Sequence, residues 1–170
     1  MEHNLLISYR WGEFSQAKSE ILSILAKFGD NNAAVEPTIA KGICKVKTEL
    51  SNRKVISKIK EGLKKDELEL NFSQKWVPID YWCESELEKM KEIVDKIKEG
   101  IKEDETWAMK VEKRRYTKRH KSEIIEFLAK DVDRKVNLNN PNKIIRVDII
   151  GKETAISLLE PDEIISVKLI

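Results

Sequence analysis

The chain is poor in the residues from which ligand loops and metal centres are built. Its six glycines are scattered over 170 residues. They form neither a G-x-G-x-x-G pattern nor a Walker A loop, so the simplest seats for a dinucleotide, a nucleoside triphosphate or the methyl donor of a Rossmann-type methyltransferase are missing. Two cysteines, Cys44 and Cys83, and two histidines, His3 and His120, stand far apart with no ligand spacing among them, which argues against zinc or iron. Two such thiols read as buried and reduced. No window approaches 18 uninterrupted apolar residues, the length that a membrane span needs. The opening "MEHNLLISYRWG" is too short in apolar residues for a signal peptide. The expectations are no cofactor, no metal, no membrane and a cytoplasmic location.

What the chain has is charge. Lys and Arg number 32 against 30 Asp and Glu, and 41% of the residues are apolar, enough for a real core. With the two signs so nearly balanced, any nucleic-acid binding must come from local segregation of cations.

Periodicity divides the chain in two. "NLLISYR" (4–10) reads as a strand, and Ala17, Ile21, Ile24, Leu25 and Phe28 then recur at helical spacing up to Gly29. "AAVEPTI" and "GICKVKTE" are strand candidates. Ser51 is placed to cap a helix striped by Val55, Ile56, Ile59 and Leu63, and "LELNF" (68–72) closes the set as a strand. The order β-α-β-β-α-β is the split pattern of ferredoxin-like domains, predicted over residues 1–72.

A second α/β domain is predicted over 73–170. Pro78 makes "KWVPIDYW" an extended connector rather than a central strand. Ser85 and Glu88 have capping-box spacing ahead of a stripe from Leu87 to Ile101. "TWAMKVEK" alternates as a strand, "SEIIEFLAKDVDRK" as a helix, and "IIRVDII", "TAISLL" and "EIISVKL" as closing strands. Trp107 falls on an apolar strand face. Trp76 and Trp82 are candidates for pinning the two domains or stacking on bases, while Trp11 has no assigned role.

One stretch departs from the even mixing of charge. From Lys110 to Lys121 seven cations (Lys110, Lys113, Arg114, Arg115, Lys118, Arg119, Lys121) face one acid, Glu112. The run lies between a strand end and a helix that Ser122 is placed to cap. Cations at a helix N-terminus oppose the dipole unless an anion shares the site. Two readings stand: a phosphate grip, with Tyr116 and His120 as flat groups for bases, or a solubilising loop. No paired catalytic residues are found.

The second half resembles a THUMP domain. The likeness rests on a strand ending in arginines before a capped helix, on "VNLNNP" (136–141), and on the pair "I-x-V-x-I…A-I-S". "ISLLEPDEIIS" (156–166) resembles the branch that assists tRNA cytidine acetylation. The resemblance implies a noncatalytic tRNA-binding adaptor that presents tRNA to a separate acetyltransferase making 4-acetylcytidine, with a ferredoxin-like domain ahead of the THUMP helping to grip the acceptor end. Implied RNA contacts are Arg114, Arg115, Arg119, Lys121 and Ser122, joined by Lys113 and His120 from the basic run and by Lys110 and Lys135 as outlying members. An RNA-modifying enzyme of another type and a protein–protein scaffold are the competing readings.

Overall fold

The structure, a computed structural model, describes residues 2–169. In chain order the elements are β1 Leu5–Tyr9, α1 Phe14–Lys27, β2 Ala34–Pro37, β3 Ile43–Lys47, α2 Asn52–Lys64, β4 Ser73–Pro78, β5 Tyr81–Glu84, α3 Leu87–Ile97, β6 Thr106–Arg114, α4 Lys121–Ala129, β7 Lys135–Val136, β8 Lys143–Ile150, β9 Glu153–Leu159 and β10 Ile165–Ser166. This is a mixed α/β fold with two five-stranded sheets and, among the described residues, four α-helices. The chain forms two compact units. One runs up to Ile79 and resumes at Glu163, and the other spans Asp80–Asp162.

In the first unit the sheet order is β10-β4-β1-β3-β2, with every neighbouring pair antiparallel. The expected helical stripes are the ones buried: Ala17, Ile21, Ile24 and Leu25 of α1, and Val55, Ile56 and Ile59 of α2. They close over Leu5, Ile7, Cys44, Val46 and Trp76. Ser51 caps α2 as its position suggested, accepting from the Lys54 N–H at 3.4 Å. Burial pushes the Cys44 thiol up to about 12, so it is an inert core residue.

The closing strand of this unit differs from the expectation. "LELNF" forms no strand, because Leu68 packs onto α2 where Gly62 leaves room: a Cβ there would stand 2.9 Å from the Leu68 Cβ. The Glu20 carboxylate then takes the N–H groups of Asn71, Phe72 and Ser73 and the Ser73 hydroxyl, at 2.6–3.3 Å. Pairing starts only at Ser73. The strand takes in the first half of the supposed connector, residues 75–78, with Pro78 at its last position, where a missing N–H costs the ladder least. Trp76 is wholly buried, its Nε1–H donating to Ser73 Oγ at 2.9 Å, so it offers no face to a base. Ile165, buried at 2% exposure, pairs with Trp76, placing β10 in this sheet. The division expected after residue 72 therefore moves to Ile79, and the last strand changes unit.

The second unit has strand order β5-β9-β8-β6-β7, with β6 parallel to both β7 and β8 and the remaining pairs antiparallel. Met90 and Val94 of α3 and Ile124 and Leu128 of α4 pack on Trp107, Val111, Ile145, Val147, Ile149 and Ile156. The predicted capping box does not form. Glu86 is the N-cap of α3, and Ser85 is drawn away by the β8–β9 hairpin: its N–H donates to Lys152 O and its hydroxyl pairs with Thr154 Oγ1 at 2.8 Å. No helix among the described residues is long and apolar enough to cross a membrane.

Candidate nucleic-acid interface

Strand β6 carries the basic run to one end of the second unit. Its odd positions, Trp107 and Val111, face the helices, so Lys110, Glu112 and Arg114 share the opposite face. The strand ends at Arg114, whose carbonyl accepts the Gly151 N–H at 2.8 Å. Arg115 then adopts left-handed backbone, φ 58, a conformation costing a non-glycine residue roughly 1–2 kcal/mol. The turn carries the chain through residues 116–120 into α4.

Within the turn, roles divide. Tyr116 is buried in the core at 9% exposure, so it offers no face to a base. Lys113 holds the loop itself, its Nζ donating to Arg119 O at 3.0 Å and Tyr116 O at 3.5 Å. Arg114, Arg115, Lys118, Arg119, His120 and Lys121 are exposed. The helix begins at Lys121 with His120 as N-cap, and Glu123 accepts the His120 N–H at 3.4 Å. Ser122, expected as the cap, is instead an exposed residue of the first turn.

One acid of β6 lies among the cations. Glu112 lies 3.7 Å from Lys110, 3.7 Å from Arg114 and 3.8 Å from Lys121. Burial pushes its carboxyl up, but the charges of Lys121, Lys110, Arg146 and Arg114 outweigh that and hold it below the usual carboxylate range. Arg146 sits opposite Lys110 on β8 and Asp148 opposite Glu112. These two form a buried two-point ion pair at 2.8 and 3.1 Å. The sequence reading passed over them, although opposite charges two apart in the otherwise apolar "IIRVDII" were the available signal. Lys135 is not part of this assembly. It pairs with Thr106 at the other end of β6, about 26 Å from Arg114 by strand rise.

The surface thus combines two arginine forks suited to phosphate oxygens, further cations and the N-terminal end of α4, where a capping box between His120 and Glu123 already takes some of the backbone N–H groups. Lys118, Arg119 and Lys121 crowd the positive end of that helix, where Glu123 of the first turn, 3.9 Å from Arg119, already offsets part of the charge. Among the described residues, no cluster of three or more His, Cys, Asp or Glu is placed to hold a metal.

No protein-family model and no curated protein sequence matches the chain. Solved structures do. PH1313 from Pyrococcus horikoshii Ot3 is 15% identical with a TM-score of 0.63, covering 98% of this chain and 56% of that one. A possible methylase from Clostridium difficile 630 is 17% identical with a TM-score of 0.52, covering 92% and 41%. A 4-thiouridine synthetase, solved as an RNA complex with bound ATP, is 14% identical with a TM-score of 0.50, covering 98% and 42%. At these identities the likeness establishes the fold, which is THUMP-like. The chain spans about half the length of these proteins.

These neighbours correct the functional expectation. The expectation of a noncatalytic adaptor for a separate acetyltransferase is corrected by longer chains with this fold that are named as enzymes, a 4-thiouridine synthetase and a possible methylase. The acetyltransferase partner goes with it. The "ISLLEPDEIIS" segment that suggested that branch is strand β9, a turn and the short β10.

Proposed function

We propose that this chain is the RNA-gripping part of an RNA-methylating enzyme acting on tRNA. The observation that carries the proposal is the convergence of Arg114, Arg115, Arg119 and Lys121 where β6 ends and α4 begins. Phosphates of the RNA lie along this surface, with His120 and Ser122 beside them at the start of α4 and Lys110 extending the contact down the strand. Lys113 shapes the loop and Lys135 stands outside the footprint. In this reading the second unit is a THUMP domain. The first is a ferredoxin-like domain, supported by its β-α-β-β-α-β order and the strand order β4-β1-β3-β2. The likeness to a possible methylase, which extends over 92% of this chain, supports methylation as the chemistry. Methyl transfer needs a donor, and no residue here is assigned to hold one.

The test is the nucleoside composition of tRNA from cells lacking the gene, read by mass spectrometry. Loss of one methylated nucleoside, restored by the gene, is the expected result. An unchanged set of methylated nucleosides, or loss of 4-acetylcytidine or 4-thiouridine instead, overturns the proposal.

A further inference from the structure

Trp11 is 68% exposed, an unusual state for a side chain with so much apolar area to bury. It does not sit on a loose end. The preceding residues are pinned to the sheet, with the Tyr9 N–H on Gly42 O at 2.9 Å and the Arg10 N–H on Phe72 O at 3.2 Å. The Glu13 N–H closes the turn onto Arg10 O at 3.0 Å, and Gly12 supplies the left-handed residue, φ 85, that the turn requires. A rigid mount thus holds a large aromatic ring in water.

Its neighbours are cationic. The Lys41 ammonium lies 5.0 Å from the centre of the Trp11 ring, within range of a cation–π contact. Lys41 belongs to the β2–β3 turn, in which Ile39 is also 63% exposed. The register carries positive charge onward from there. Leu5 and Ile7 face the helices, so the other face of this sheet carries, beside the buried Leu6 and Val77, the half-buried Lys45, opposite Leu6, and Lys75, opposite Ser8. Lys47, two residues beyond Lys45, points to the same side. Glu36 of β2, opposite Lys45, is an acid on this face and lies 3.2 Å from His3.

We propose that Trp11 and Lys41 form a stacking site for an unpaired nucleobase, with Lys45, Lys47 and Lys75 guiding the phosphates of the same strand. The argument is charge complementarity joined to shape. Aromatic rings flanked by lysines bind single-stranded nucleic acid by stacking plus backbone attraction, and every base offers the required flat face. An apolar protein surface would use the ring but gains nothing from the lysines. The site deepens the RNA-binding reading, on which it rests, and adds a single-stranded contact on the first unit, separate in residues from the β6–α4 cluster.

The test uses the full chain, a short fluorescein-labelled oligoadenylate and tRNA, with affinity read by anisotropy. Trp11→Leu keeps apolar area and removes the flat ring, whereas Trp11→Phe keeps a ring. Stacking predicts that Trp11→Leu weakens oligoadenylate binding about tenfold while Trp11→Phe stays within about threefold of the parent. Oligoadenylate also quenches tryptophan emission more in the parent than in Trp11→Leu, in which Trp76 and Trp107 are buried and Trp82 is half-buried. The proposal is overturned if Trp11→Leu binds as tightly as the parent, or if Leu and Phe behave alike. A parent that binds tRNA but not oligoadenylate overturns the stacking site and leaves the RNA-binding reading standing. A parent that binds neither overturns both.

Discussion

Glu112 Oε2 stands 3.8 Å from Lys121 Nζ, which ties the face of β6 to the first residue of α4. The same carboxylate lies 3.7 Å from Arg114, and Glu123 lies 3.9 Å from Arg119, so two acids sit among the cations assigned to phosphate. The contacts of Glu112 with these exposed side chains are long and worth little in ordering them. Its negative charge acts directly on an incoming phosphate. At a separation near 6 Å in water that repulsion is about 0.7 kcal/mol. Glu112→Gln is therefore expected to tighten tRNA binding about threefold at low salt, with the gain fading as salt rises. Weaker binding by Glu112→Gln at low salt would mean that Glu112 positions the cations rather than opposing the ligand.

Arg115 combines an exposed guanidinium with left-handed backbone, φ 58. Backbone strain of this kind persists where function requires it. Arg115→Gly separates the two properties, since glycine adopts that conformation without penalty. The variant is expected to match or exceed the parent in stability by up to about 1 kcal/mol while losing tRNA affinity. Denaturant melts and binding curves on one preparation check both halves.

Glu20 gathers three consecutive backbone N–H groups and a hydroxyl ahead of β4. Glu20→Ala leaves these donors without their acceptor at the start of β4, where Ser73 is buried, and is expected to lower stability by about 2–3 kcal/mol. Urea unfolding reads the effect. RNA binding by the folded variant should be unchanged.

Asp30 is buried at 2% exposure and accepts from the Thr48 hydroxyl at 2.6 Å and from the Glu49 and Asn32 N–H groups at 2.9 Å each. Burial pushes its carboxyl up, but these three donors outweigh that and hold it below its ordinary 3.8. A carboxyl depressed by folding contributes stability that is fully present above its unfolded pKa and is lost as pH falls through the lower folded value. Asp30→Asn should therefore destabilise strongly at neutral pH, with the gap to the parent narrowing as pH drops below 3.8. A gap constant across that range would refute the assignment.

Local patterns were legible in the sequence where packing obeys them. The stripes of α1, α2 and α3 and the alternation of β6 each bury the residues that periodicity selects. The bracketing of the basic run by β6 and α4 was visible for the same reason. What escaped were partnerships across long stretches of chain. Glu20 delays β4 until Ser73 from more than fifty residues away, and Thr154 takes the hydroxyl of Ser85 from the capping position. Pro78 misled because it interrupts a strand only in the interior, and here it ends one. Tyr116 was misjudged because a charged neighbourhood says nothing of the direction in which a ring turns. The order of the fold was readable, whereas the acetylation branch rested on a segment that structure divides between two units.

The central claim is that the end of β6 grips phosphate, and the salt dependence of tRNA affinity tests it most directly. Each phosphate contact contributes about 0.7–0.9 to the slope of log affinity against log salt. Arg114→Ala with Arg115→Ala should weaken binding at least tenfold near 0.1 M salt and make the slope shallower by about 1.5, with the thermal melt preserved. A double variant with the parent's affinity and slope would contradict the account.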